Sequence, residues 1–137
     1  MVLLDANVLI YYLDETSDSH VLAIDLLQRL IDDDEQPVTS HHIIEEVLFI
    51  LSRIDSGIDL TRVVDKISKL PNLILAEPSP SIDFAMRYTQ LSKKLKVGIN
   101  DALILQLVLD AGITKIFTFD NKLQKDAQTL NIEQVTR

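Results

Sequence analysis

The first thirteen residues read MVLLDANVLIYYL (1–13), and they set the frame for everything that follows. Three apolar residues, Val2, Leu3 and Leu4, lead into an acid, Asp5; Asn7 follows, and the apolar run resumes at Val8, Leu9 and Ile10. A carboxylate inside a buried apolar segment is costly unless something pairs with it. The pattern predicts a short buried strand that ends at Asp5 and runs on into a turn or helix. It leaves open what the carboxylate is for.

Working outward, short apolar strands alternate with helices. Ser17 or Asp18 is placed to cap a helix carrying Val21, Leu22, Ile24, Leu26, Leu27, Leu30 and Ile31 at helical spacing. The run Asp32-Asp33-Asp34-Glu35 ends that helix, and because acids oppose the helix dipole there it reads as a solvated loop. Pro37–Thr39 reads as a strand, and Ser40 as the cap of HHIIEEVLFILSRI, which Gly57 breaks. A helix around Leu60–Leu70 ends at Pro71, and NLILAEP (72–78) is a strand between prolines. Ser81 to Leu95 reads as an amphipathic helix with Ile82, Ala85, Met86, Leu91 and Leu95 inward and Arg87, Lys93 and Lys94 outward. Gly98 leads into INDALILQLVLDAG, apolar nearly all round and so central, with Gly112 as its stop. TKIFTFD is a strand, Lys122–Leu130 a helix and NIEQV a last strand. The alternation predicts an α/β fold, a three-layer sandwich with a central parallel sheet.

The chain has 137 residues, enough for one domain, residues 1–137, with a core of its own. It has no cysteine, which excludes disulfides and thiolate metal sites and suits a reducing cytoplasm. Asp5, Asp14 and Glu15 interrupt the first apolar stretch, so no signal peptide and no membrane span are expected. The net charge of −8 argues against broad nucleic-acid binding, unless the acids hold cations that a phosphate can then approach.

Where the acids fall separates those two cases. Asp5 and Asp120 end strands, Asp101 begins the most apolar helix, and Glu45 or Glu46 lies early in the helix after Pro37–Thr39. In a parallel sheet, strand C-termini and the starts of the following helices share one edge, where active sites lie. Four carboxylates there repel one another unless protonated or bound to cations. An all-oxygen set suits Mg²⁺ or Mn²⁺, and such a cluster suits metal-assisted hydrolysis of a phosphodiester. Helical facing does not choose between Glu45 and Glu46. His20, His41 and His42 read as surface or helix-start residues rather than ligands.

Taken together and in order, LLDANVLIYYL, TSHHIIEEVLFIL, GINDALILQLVL and IFTFDNKL resemble the PIN-domain ribonucleases, and most of all the small toxins of VapBC toxin–antitoxin pairs. The resemblance implies a PIN-like sandwich and a Mg²⁺- or Mn²⁺-dependent endoribonuclease acting on tRNA, rRNA or mRNA in the cytoplasm. It implies a cognate antitoxin and a homodimer. Carried onto this sequence, the metal-site acids are Asp5, Glu46, Asp101 and Asp120; Glu46 is favoured because it stands six residues after Ser40. Asn7 and Thr118 become orienting groups around the acids, and Arg87, Lys93, Lys94 and Lys96 a modest basic segment for the RNA backbone. Many relatives carry a further acid after the last Asp, where this chain has Asn121 and Lys122. Rival readings are a non-catalytic PIN-like binding module and a haloacid-dehalogenase-type phosphatase. The second wants an acid where Asn7 stands. A receiver-type signalling domain expects paired acids that are missing here.

Overall fold

The computed structural model describes residues 1–136. In chain order the elements are β1 (Val2–Leu4), α1 (Ala6–Leu13), α2 (His20–Asp32), β2 (Pro37–Thr39), α3 (His41–Ile54) and α4 (Leu60–Ser68), followed by β3 (Ile74–Leu75), α5 (Ile82–Leu95), α6 (Ile99–Asp110), β4 (Lys115–Phe117), α7 (Asn121–Thr129) and β5 (Glu133–Gln134). The five strands form one parallel sheet in the order β3-β2-β1-β4-β5. This is the α/β sandwich expected from the alternation of elements. No helix among the described residues is long and apolar enough to cross a membrane.

The strand order explains where a site can form. The chain lays β1, β2 and β3 in one direction, then returns to place β4 on the other side of β1. The strand order reverses between β1 and β4, and in sheets of this kind sites form outside the carboxyl ends of the strands at such a switch point. The register pairs Leu4 with Phe117, and the Asp5 N–H donates to the Phe117 carbonyl at 3.0 Å. Asp5 and the residues after Phe117 therefore stand side by side.

The core is built from β1, β4 and the helices over them. Leu3, Leu4, Leu9, Leu105, Ile116 and Phe117 are fully buried. Helix α6 buries Ala102, Ile104, Leu105, Leu107 and Val108, as expected of a helix apolar on nearly every side. Its stop uses Gly112 at φ +67, a left-handed conformation that costs glycine little.

Local readings differ in four places. Ser19, not Ser17 or Asp18, precedes α2; it makes no side-chain cap bond, and the Ser17 hydroxyl accepts instead from Ser19 N–H at 3.2 Å. Ile82 and Met86 face outward at 85% and 57% exposure. The inward face of α5 is the line Phe84, Leu91 and Leu95, with the Tyr88 ring edge-on to Phe84. Ile82 and Met86 are four residues apart on another face of the same helix, so apolar character misled where spacing decided. The strand in NLILAEP shrinks to Ile74–Leu75 at the sheet edge. Finally, the acidic run is solvent-facing only as far as Asp34; Glu35 is half-buried and accepts from Lys115 Nζ at 2.8 Å.

Candidate functional site

Asp5 is 7% exposed and answers the burial problem by local bonding. As the N-cap of α1 it accepts from the Ala6 N–H at 2.8 Å, and its Oδ2 accepts from the Thr118 hydroxyl at 2.7 Å. Thr118, 3% exposed, is the hub of this corner. Its Oγ1 also accepts from Asn7 Nδ2 at 3.2 Å and from the Asp120 N–H at 3.1 Å. Asn7 Oδ1 accepts from the Phe119 N–H at 3.1 Å. Asn7 and Thr118 thus staple the first turn of α1 to the loop between β4 and α7, and both hold the backbone that carries the acids.

Asp120 is exposed and caps α7, its Oδ1 accepting from the N–H groups of Lys122 at 2.9 Å and Leu123 at 3.3 Å. Asp101 is half-buried in the first turn of α6; the position preceding that helix is Gly98, so neither Asn100 nor Asp101 is its cap. Of the two glutamates on α3, Glu45 is exposed and Glu46 half-buried. Glu46 Oε2 is buried and has no hydrogen-bond partner.

Three of these carboxyls are pushed above the ordinary carboxylate range, in each case mainly by burial. For Asp5, the bonds from Thr118 and Ala6 offset part of that effect and Asp120 adds to it. For Glu46, the charge of Asp5 comes next, with Asp101 adding and His42 and Asn100 opposing. For Asp101, the charges of Asp120, Asp5 and Asp126 add and Lys122 opposes. All four acids named from the sequence are therefore electrostatic neighbours across elements far apart in the chain.

A stability prediction follows from these directions. A group whose folded pKa is raised stabilises the fold below its unfolded value and loses that contribution as pH rises through the folded value. In EDTA the melting temperature should therefore climb as pH falls from neutral toward the ordinary carboxylate value of about 4. Below that, Asp14, bonded by Thr16, and Glu35, bonded by Lys115, have lowered values and pull the other way. Thermal melts from pH 8 to 3 check this. Asp101→Asn should flatten the rise, and an unchanged profile would show that Asp101 feels no such pressure.

The basic segment divides. Arg87 pairs with Asp83 at 2.9 Å and with Asp110, while Lys93, Lys94 and Lys96 are exposed at the end of α5. His20 bonds the Tyr11 carbonyl and His41 bonds Glu77, both at 2.8 Å or less. Two neighbours of the acids were not foreseen. His42 Nε2 bonds Asn100 Oδ1 at 2.6 Å beside Glu46. Asp126 on α7 has a buried Oδ2 without a hydrogen-bond partner and acts on Asp101. Nothing in the sequence marks Asp126 out; Asn100 could have been noticed as the residue before Asp101.

Among the described residues, no three His, Cys, Asp or Glu side chains stand together as a ready metal shell. The donor chemistry nonetheless fits a hard divalent ion. The acids offer only oxygen, and the orphaned Glu46 Oε2 is a buried acceptor that a cation would satisfy.

The sequence profile of the PIN domain matches residues 2–128. No curated protein matches. Among solved structures, Mycobacterium tuberculosis VapC20, described as a sarcin–ricin loop cleaving toxin, superposes with a TM-score of 0.69 at 14% identity, covering 91% of this chain and 94% of that one. PAE2754 from Pyrobaculum aerophilum superposes with a TM-score of 0.59 at 18% identity, covering 98% of this chain and 83% of that one. Those identities speak for the fold alone. The profile match runs from β1 into α7, through all four sequence motifs and the acids they carry, and on that ground the chain belongs to the PIN-domain family.

Proposed function

We propose that this protein is a divalent-metal-dependent endoribonuclease, the toxin of a type II toxin–antitoxin pair, with Asp5, Glu46, Asp101 and Asp120 as its metal-holding acids. The observation that carries the reading is the mutual pressure among these carboxyls at the β1–β4 switch point, together with the orphaned oxygen of Glu46. Membership of the PIN family supports RNA hydrolysis over a phosphatase. Asn7 also has its amide committed to Thr118 and Phe119, away from acid–base work.

The acids would hold Mg²⁺ or Mn²⁺, which when bound polarises the phosphodiester, activates water and stabilises the leaving oxygen. The chain's own part is positional. Thr118 and the α1 N-terminus fix the Asp5 carboxylate, Asn7 fixes the loop carrying Asp120, and the body of α3 sets Glu46. Lys93, Lys94 and Lys96 are left to meet the RNA backbone, since Arg87 is held by Asp83 and Asp110.

The resemblance to VapBC toxins extends the proposal to a cognate antitoxin, a homodimer and a cytoplasmic setting. A guanidinium from the antitoxin entering the acid crevice would neutralise it as a metal does. The exposed apolar pair Ile82 and Met86 supports an interface on α5.

The test is incubation with structured RNAs, a ribosomal sarcin–ricin stem-loop and tRNA first, in Mn²⁺ or in EDTA. Cleavage should require the metal and leave 5′-phosphate ends. Glu46→Gln should be inactive and Glu45→Gln close to wild type. Cleavage that persists in EDTA overturns the reading, and the reverse result for the two glutamates transfers the role to Glu45.

A further inference from the structure

His42 occupies the first turn of α3 and lies one helical turn before Glu46. Residues four apart on a helix share a face, so the imidazole and the carboxylate lie on one side of α3. It does not bond that carboxylate. Its Nε2 instead reaches Asn100 Oδ1 at 2.6 Å, across 58 residues of sequence, in the first turn of α6. An amide oxygen only accepts, so Nε2 must carry the proton, and the imidazole is fixed as a donor. With Oδ1 occupied, the Asn100 NH₂ group is turned toward Glu46, where it favours the ionised carboxylate. Asn100 directly precedes Asp101.

We propose that His42 is a positioning residue: by holding Asn100, it locks the α3 turn bearing Glu46 to the α6 turn bearing Asp101 and so pre-sets the two acids for a divalent cation. The inference rests on the metal-site reading above. It is needed physically because Glu46 and Asp101 repel each other and sit on separate helices. Left alone, each carboxylate would swing toward water. A bridge that ties the helices opposes this, and the buried Glu46 Oε2 stays unfilled. Loss of such outer partners typically weakens metal binding by about 10- to 100-fold.

The experiment is Mn²⁺ binding to the RNA-free protein, read by calorimetry and by electron paramagnetic resonance of free Mn²⁺. His42→Ala should weaken binding at least about tenfold. His42→Gln, whose amide can still donate to Asn100, should recover most of it. Asn100→Leu should weaken binding as His42→Ala does, and the double variant should be no weaker than either single one, because both cut the same bridge. If His42→Ala is too poorly folded by circular dichroism, Asn100→Leu cuts the bridge from its other end and carries the test. Wild-type affinity in the variant that is read, or a His42→Gln as weak as His42→Ala, overturns the proposal. Wild-type protein whose Mn²⁺ binding is absent or untouched by Glu46→Gln overturns the four-acid site itself. These failures are distinct.

Discussion

Asp5→Asn should lose more than about 100-fold of the Mn²⁺-dependent cleavage rate, above the loss that removal of an outer-shell partner causes, while the fold persists. The substitution is isosteric. The new amide can keep an oxygen toward the Ala6 N–H, so the α1 cap survives. The Thr118 hydroxyl already accepts from Asn7 and from the Asp120 N–H and loses its own acceptor, but β1 stays held to the β4–α7 loop by the Asp5 N–H bond to the Phe117 carbonyl and by Asn7 Oδ1 accepting from the Phe119 N–H. What disappears is the negative charge. In metal-free protein that charge is a burden, because the carboxyl is buried and faces Asp120. Melting in EDTA at neutral pH should therefore be unchanged or higher, while cleavage falls. Retained cleavage at saturating Mn²⁺ would remove Asp5 from the site. A lower melting temperature in EDTA would make its role structural.

Divalent cations should raise the melting temperature at neutral pH by roughly 5–10 °C when present at a hundredfold excess over their dissociation constant. The mass-action term at that excess is about 2.7 kcal/mol, and a domain of this size moves a few degrees per kcal/mol. Asp120→Asn separates the metal's contribution from everything else. Asn is as good an N-cap as Asp, so α7 keeps its start. Removing the charge relieves both Asp5 and Asp101. The variant should melt above wild type in EDTA and respond to Mn²⁺ with a smaller rise, less by about 1.4 kcal/mol for each tenfold loss of affinity. The measurement is a melt of both proteins in EDTA and across a Mn²⁺ titration. If the variant is less stable in EDTA and gains as much from Mn²⁺, Asp120 is an ordinary cap.

Much of this protein is written in local patterns. Periodicity and punctuation placed every element from β1 to β5 except α1, which the sequence left as a turn or helix, because short buried strands and apolar helices are decided by neighbouring residues. Ser40, Asp5 and Gly112 do at their helix ends what their chemistry predicts. The misreadings also have local causes. Ile82 and Met86 were put inward because they are apolar, whereas the helix turns on the line through Phe84, Leu91 and Leu95, which only packing against the rest of the fold selects.

The candidate acids divide the same way. Asp5, Asp101 and Asp120 stand out in sequence because each interrupts or borders an apolar run, where a charge needs a reason. Glu45 and Glu46 are adjacent on one helix, and their spacing to apolar residues is equivocal. The fold separates them, leaving Glu45 in solvent and pressing Glu46 toward Asp5 and Asp101. The links Thr118–Asp5 and His42–Asn100 span 113 and 58 residues and have no local signature. They exist because the return of the chain places β4 beside β1, bringing distant turns to one edge. Sequence by itself thus determined the elements and which acids were out of place. The tertiary structure alone decided which of those acids face one another and what holds them, because electrostatics and hydrogen bonds act through space and not along the chain.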